Sequence, residues 1–382
     1  MSFATLALIL AVALCGPLLA WKDSLRLPVI IGELAAGVIV GQTGTRWVDA
    51  QEPTLVFLAS IGFGLVMFVS GWHVPVQDTT LLRGVRPSLG RLAAVVVAAV
   101  VLGVTVAWAF GTGHAGLYAV LFASSSAAVV MPVLLSLHLP PVTLTRLIPQ
   151  VALADAACIV ALPLVLQPNH AGRAALGAAL VIAGGAAVFA LLWWAGRRGW
   201  LATLHEKSKA RAFALELRAS LLVLLLMAAL AQWAHVSIML PGFCLGLAVA
   251  GVGRRRRLAR QLFGLTEGLF GPIFFVWLGA SLNLRELGSH PSMILLGVVL
   301  ALAAVAAHAV AALFGLTLPC AILSAAQIGV PVAAVTIGQQ EGVLAPGEGA
   351  AVLLGALLTI VAAAGAGRHL VVPDGSRVPG AA

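Results

Sequence analysis

Asp155 stands in Val151-Ala-Leu-Ala-Asp155-Ala-Ala-Cys158, near the middle of an apolar stretch from Leu147 to Leu166. A charged Asp at the centre of a bilayer costs about 2.5–3.5 kcal/mol on insertion scales. Such a group must hold a proton, hold a cation, or hydrogen-bond to a neighbouring helix. The first two together describe a carboxyl that trades H+ for a small cation. The third describes a neutral structural Asp. Acids inside membranes are functional by default, so Asp155 is the expected ion- and proton-binding residue. Ser124-Ser125-Ser126-Ala127, followed by Pro132, lies in the preceding apolar run. Its hydroxyls suit a dehydrated cation, and Ser125 and Ser126 are expected to line the site with Asp155.

Other candidates are secondary. Glu33, in Gly32-Glu33-Leu-Ala-Ala-Gly37, is either a protonated packing residue or part of an access path. His308 is a lone histidine on an apolar helix, which reads first as a satisfied core residue. Gln327, in Gln327-Ile-Gly329-Val-Pro331, is a possible supporting ligand, as is Ser124. An aspartyl protease needs two carboxylates sharing a proton, and Asp155 and Glu33 share no matching motif. Cys15, Cys158, Cys244 and Cys320 have no paired spacing, so no disulfide framework or zinc site is expected. The chain reads as a non-enzyme with no catalytic residue, no cofactor and no bound metal centre.

These residues need a scaffold that lipid tolerates. Of 382 residues 61% are hydrophobic and 9% charged, with a mean hydropathy of +1.08. A soluble domain carries about 25% charged residues, so a water-soluble globule is excluded. A spanning helix needs about 20 apolar residues. Thirteen segments qualify or approach this: Ser2–Ala20, Pro28–Gly41, Leu55–Trp72, Leu92–Phe110, Gly116–Leu137, Leu147–Leu166, Ala174–Ala195, Ala219–Trp233, Ile238–Val252, Leu265–Leu284, Met293–Phe314, Leu318–Ile337 and Ala350–Ala364. The first resembles a signal peptide in length but lacks a basic start, and is read as a retained helix.

The basic residues test that count. With the N-terminus outside, only Arg46, Arg173 and Arg285 of the 22 Lys and Arg residues fall on the outer side. One span more or fewer would scramble this sorting. The expected fold is therefore all-α, with about thirteen transmembrane helices in residues 1–366 and a short cytoplasmic tail at 367–382. The net charge of +9 and the run Arg254–Arg257 then belong to cytoplasmic loops beside anionic lipid, and no nucleic-acid partner is expected.

Segments three and ten both carry Phe-Val just before a glycine: Phe68 and Val69 before Gly71, Phe275 and Val276 before Gly279. They lie seven spans apart, and an odd offset inverts orientation, the signature of inverted-repeat transporters. The same offset pairs segment five with segment twelve. In these, the Ser124–Ser126 run with Pro132, and Gly329 with Pro331, should interrupt the helix. Broken helices at mid-membrane present backbone dipoles where transporters bind their substrates. Small residues there could also serve only close helix packing.

In order along the chain, Pro28-x-x-x-Gly32-Glu33-x-x-x-Gly37, the Leu-x-x-Phe-x-x-Gly pattern of segment three, Ser124–Ala127 with Pro132, Asp155, and Pro272-Ile-Phe-Phe275 with Gly279 resemble the monovalent cation:proton antiporters. The similarity is to the branch that includes the potassium-efflux systems. It implies a mobile core of segments four to six and eleven to thirteen, working against a scaffold that forms a homodimer. Many relatives carry an acid or Asn immediately before the essential Asp, where this chain has Ala154. Many also have a Thr-Asp or Thr-Ser-Pro in the crossing helix, where this chain has Ser125, Ser126 and Ala127. Electrogenic relatives carry a membrane Lys, for which only His308 and Gln327 stand here. The expectation is electroneutral exchange of Na+ or K+ for H+ in a bacterial plasma membrane. A channel or uniporter on the same fold is the alternative, though no filter loop or acid ring is visible. A proton-coupled transporter of another solute is a further one.

Overall fold

The computed structural model describes residues 1–21, 29–74, 79–136, 139–166, 171–199, 215–234, 236–253, 256–282, 284–289 and 291–370. Among these residues no strand occurs. Lipid leaves no other partner for backbone N–H and C=O groups, so the chain satisfies them within helices. The first half contains α1 (Phe3–Ala13), α2 (Cys15–Ala20), α3 (Val29–Val40), α4 (Pro53–His73), α5 (Thr79–Phe110), α6 (Ala115–Ala123), α7 (Ala127–Ser136), α8 (Pro141–Leu166) and α9 (Ala171–Arg197). The second half contains α10 (Leu215–Trp233), α11 (Met239–Val252), α12 (Arg256–Leu265), α13 (Gly271–Ser281), α14 (Leu284–Ser289), α15 (Pro291–Ala309), α16 (Leu318–Ser324), α17 (Gly329–Gln340) and α18 (Glu348–Arg368). A π-helical turn, Thr266–Phe270, joins α12 to α13, and a 3-10 turn, Val310–Phe314, ends α15.

Every one of the thirteen segments has its helix. Among the described residues nine helical stretches are long and apolar enough to cross a bilayer, and three shorter apolar ones cover segments two, eight and nine. Segment five is the pair α6 and α7. Boundaries move where apolar counting misses a polar helical extension. Segment four begins thirteen residues earlier, at Thr79, and segment six at Pro141. Segment one is interrupted at Leu14, because Pro17 cannot donate to the carbonyl four residues back and crowds it. Segment ten is helical from Arg256 through the π turn and stops at Ser281, short of the expected Leu284. The last helix runs to Arg368. The rest of the proposed tail, residues 371–382, lies outside the described residues, as do Arg254 and Arg255.

The inverted repeat is visible in the packing. Segment two (α3) lies against segment ten (α13), and segment nine (α11) against segment three (α4). A shift of seven segments converts one pair into the other. Both contacts are backbone-close. A Cβ on Gly37 would come 2.2 Å from Val276 O and one on Gly279 2.1 Å from Leu34 O; one on Gly71 would come 2.3 Å from Phe243 O and one on Gly246 2.2 Å from Phe68 O. Close approach of small residues is how helices associate where lipid removes the hydrophobic driving force. The two glycines singled out in the sequence, Gly71 and Gly279, therefore do the same work in the two halves. The remaining repeats match as well: α5 packs on α6 and α8 as α15 packs on α16 and α18.

Candidate functional site

Segments five and twelve are both broken, and the two breaks touch. The first interruption is Ser124–Ser126, between α6 and α7, and the second is Ala325–Ile328, between α16 and α17. Serine favours such a break because its hydroxyl competes for backbone partners. Ser126 N–H donates to Ala326 O at 2.8 Å, which joins the two breaks directly. The prolines do not themselves sit in the breaks. Pro132 is the sixth residue of α7, while Gly329 opens α17 and Pro331 follows in its first turn, where a missing N–H costs nothing.

The side chains around this crossing are buried. Ser124 Oγ can donate to Leu121 O (2.8 Å) or to the side-chain oxygen of Gln327. His308, fully buried, donates from Nε2 to the Ser124 carbonyl at 3.1 Å, and its Nδ1 lies 3.0 Å from Ser324 Oγ. Ser324 Oγ can give its one proton to Ala321 O (2.7 Å) or to Nδ1, and in the second arrangement a neutral ring satisfies both contacts. His308 thus spans the two breaks, filling the place of a carbonyl partner that the unwound backbone lacks.

Asp155 is 1% exposed. Its Oδ2 accepts the N–H of Ala127, the first residue of α7, at 3.0 Å. The unpaired amides at a helix start carry a partial positive charge, so α7 points its favourable end at the carboxyl. Ser125 Oγ and Ser126 Oγ are buried and have no hydrogen-bond partner among the described residues. A buried hydroxyl left unpaired costs about 1–3 kcal/mol. One carboxyl and two unused hydroxyl oxygens, on adjacent elements of one crossing, form a donor set suited to a small hard cation or a proton.

The sequence reading named Asp155, Ser125 and Ser126 as the site, with Gln327, Glu33, His308 and Ser124 in support, and the fold brings all of these but one to α8, α15 and the two breaks. Glu33 is not among them. It is buried in α3, where its Cγ would lie 2.8 Å from a Cβ on Gly16 of α2. The sequence reading overlooked Thr359. It is fully buried in α18, and its Oγ1 accepts the N–H of Gln327 at 3.3 Å. A lone hydroxyl residue in the otherwise apolar thirteenth segment was the available signal. It also overlooked Arg91, buried in α5, which donates to Gln150 Oε1 (2.9 Å) and Arg146 O (2.9 Å) and so ties α5 to the helix bearing Asp155.

A cavity of about 570 Å³ lies between the α3, α4 and α13 group and the α17–α18 pair, lined among others by Gln42, Trp277, Ser281, Thr336 and Leu353. Asp155 is not part of its lining.

Comparison with known proteins agrees with this fold. A family model described as sodium/hydrogen exchanger, transmembrane, matches residues 9–371. A candidate Na+/H+ antiporter of Bacillus subtilis, YjbQ, is 23% identical over a 385-residue alignment covering 94% of this chain and 62% of that protein. The Na+/H+ antiporter NhaS5 of Synechocystis is 24% identical over 269 residues, covering 69% of this chain and 37% of that protein. This chain therefore spans about three-fifths of the first relative and little more than a third of the second. The solved structure of the sodium proton antiporter MjNhaP1 from Methanocaldococcus jannaschii shares the fold, with a TM-score of 0.64 and 16% identity, covering 96% of this chain and 98% of that one.

Proposed function

Because the chain belongs to the sodium/hydrogen exchanger transmembrane family, we propose that it exchanges a monovalent cation, Na+ or K+, for protons, with the two competing for Asp155. The observation that carries this reading is the buried Asp155 carboxyl on the first amide of α7, with the unpartnered Ser125 and Ser126 hydroxyls in the adjoining break. A cation that has shed water needs several oxygen ligands, and a proton needs one. The same pocket can therefore be filled by either but not by both.

One deep carboxylate at the crossing, with a histidine satisfied in its neutral form, supports one-for-one electroneutral exchange. In the orientation read from the basic residues, the N-terminus and the Gln42-lined cavity face outward. The glycine-packed α3–α13 and α4–α11 pairs would form the scaffold of a homodimer in the plasma membrane. The bundle of α5–α8 and α15–α18 would carry the bound ion past it, exposing Asp155 to each side in turn.

The test is reconstitution in liposomes loaded with a pH-reporting dye, followed by addition of Na+, K+ or Li+ outside. Alkalinisation or acidification of the lumen according to the cation gradient, insensitive to a clamped membrane potential, is expected. Asp155→Asn should reduce it at least 100-fold. Exchange that survives this substitution would remove the mechanism, and cation current without proton flux would establish the channel reading instead.

A further inference from the structure

Arg91 is 4% exposed, yet the acceptors its guanidinium meets among the described residues are neutral. Nε donates to Gln150 Oε1 at 2.9 Å, and Nη2 donates to Ser88 Oγ at 2.8 Å and to Arg146 O at 2.9 Å. Ser88 Oγ donates in turn to Arg146 O at 3.3 Å. Gln150 is 1% exposed, and its Nε2 has no hydrogen-bond partner among the described residues, so the bond from Arg91 fixes which way that amide points. A buried charge that needs only neutralising takes an opposite charge as its partner. A planar fork shared between an amide, a hydroxyl and a carbonyl is placed for its geometry.

These acceptors bracket a weak point. α8 contains Pro149, which has no N–H for the carbonyl of Thr145 and crowds it. Prolines of this kind are where helices kink. Arg146 stands before Pro149 and Gln150 directly after it, so one guanidinium grips α8 on both sides of the interruption. Gly84 of α5 packs on the carbonyl that the proline leaves free, since a Cβ there would come 2.2 Å from Thr145 O. Arg146 extends the connection by donating from Nη1 to Gly315 O at 2.7 Å, in the turn that follows α15, the helix of His308. Asp155 lies six residues beyond the proline on the same helix. At about 1.5 Å per residue, a tilt of about 5° at Pro149 would move its carboxyl sideways by roughly 0.8 Å. A shift of that size would stretch or misalign the 3.0 Å bond from Ala127 N–H.

We propose that Arg91 is a positioning residue for the ion site: it splints α8 across Pro149 and so fixes where Asp155 meets the first break. Its effect on transport rests on the exchanger reading above; the splint itself does not. The fork, not the charge, is the property used. A lysine at this place keeps the charge, but its ammonium is a single point on a flexible stem and cannot hold Gln150 and Arg146 from both sides of the proline. Restoring the missing N–H should make the splint dispensable, because in Pro149→Ala residue 149 can donate to Thr145 O and close the ladder within α8.

Two measurements on the full chain in liposomes test it, with Arg91→Lys, Arg91→Gln and the double variant Arg91→Lys/Pro149→Ala. The first is hydrogen exchange of the α8 amides in residues 147–151. Protection should fall about tenfold in both single variants and return in the double variant. The second is the KM for Na+ or K+ against kcat in the dye-based exchange assay. Displacing Asp155 should raise KM about five- to tenfold in both single variants, change kcat less than twofold, and be reversed by Pro149→Ala. Unchanged protection in Arg91→Lys overturns the splint. Wild-type behaviour in Arg91→Lys with loss in Arg91→Gln overturns it as well, because charge alone would then suffice. Lost protection with an unaltered KM, or a raised KM that Pro149→Ala does not recover, overturns the link to the ion site. The protection result decides the splint even if the wild type exchanges no cation, an outcome that would overturn the exchanger reading alone.

Discussion

Asp155 and Thr359 hold equivalent places in the two halves of the fold: each accepts a backbone N–H at the broken helix of its own repeat. The carboxylate takes that of Ala127 at 3.0 Å and the hydroxyl takes that of Gln327 at 3.3 Å. Segments six and thirteen, which carry them, are related by the same seven-segment shift as the breaks. The repeat is thus symmetric in geometry and asymmetric in charge. One half presents a titratable acceptor and the other a neutral one.

Thr359 should then act on the ion through Gln327. Thr359→Val keeps the volume but leaves the Gln327 amide unpaired, letting the second break relax. The expected result is a rise of about five- to tenfold in the cation KM with maximal rate changed by less than twofold. Thr359→Ser should restore the wild-type value. Dye-based exchange assays across a cation titration would show this, and equal KM for Val and wild type would assign Thr359 to packing alone.

Ser125 and Ser126 separate stability from function. Their hydroxyls have no hydrogen-bond partner among the described residues, so removing either loses no hydrogen bond found there and relieves a buried unpaired group. Ser125→Ala and Ser126→Ala should leave thermal stability unchanged or raise it by about 1 kcal/mol. Each should weaken cation affinity, with the double variant several-fold worse than either. Loss of stability together with loss of affinity would show that the hydroxyls are structural.

Competition at one carboxyl has a definite pH signature. If a proton excludes the cation from Asp155, mass action raises the apparent cation KM by about tenfold per pH unit once the site is mostly protonated. Maximal rate at saturating cation should stay constant over the same range. A falling maximal rate at constant KM would mean that protons act elsewhere.

The polar residues of the candidate site were more legible in the sequence than the ends of the helices that carry them. Serines, Gln327 and the carboxyl were visible because a polar residue in an apolar run has few reasons to be there. In segment five the serine run expected to interrupt the helix is itself the break, whereas in segment twelve the break falls at Ala325–Ile328, ahead of Gly329, and Pro331 merely starts the next helix. Glu33 was an equally conspicuous acid, yet it packs beside Gly16, because depth in the bilayer says nothing about which face of the bundle a helix turns inward. Thr359 and the Arg91–Gln150 pair were missed for the opposite reason. Their significance comes from contacts 32 and 59 residues apart, which no local pattern encodes.

His308 distinguishes a structural histidine from a charge-carrying one. It supplies the donor for the Ser124 carbonyl at 3.1 Å and meets Ser324 on the opposite segment. His308→Leu fills the space but leaves that carbonyl without a partner, which should cost about 1–3 kcal/mol and shorten the thermal half-life in detergent. His308→Gln offers an amide donor of similar reach and should recover most of the loss. If the ring is neutral throughout the cycle, the Gln variant also keeps electroneutral exchange and the wild-type pH profile, because no charge has been removed. If the ring instead takes up a proton as the ion leaves, the same substitution changes the charge moved per turnover. Exchange in His308→Gln would then become sensitive to a potential imposed across the liposome membrane, a shift that a purely structural role does not produce.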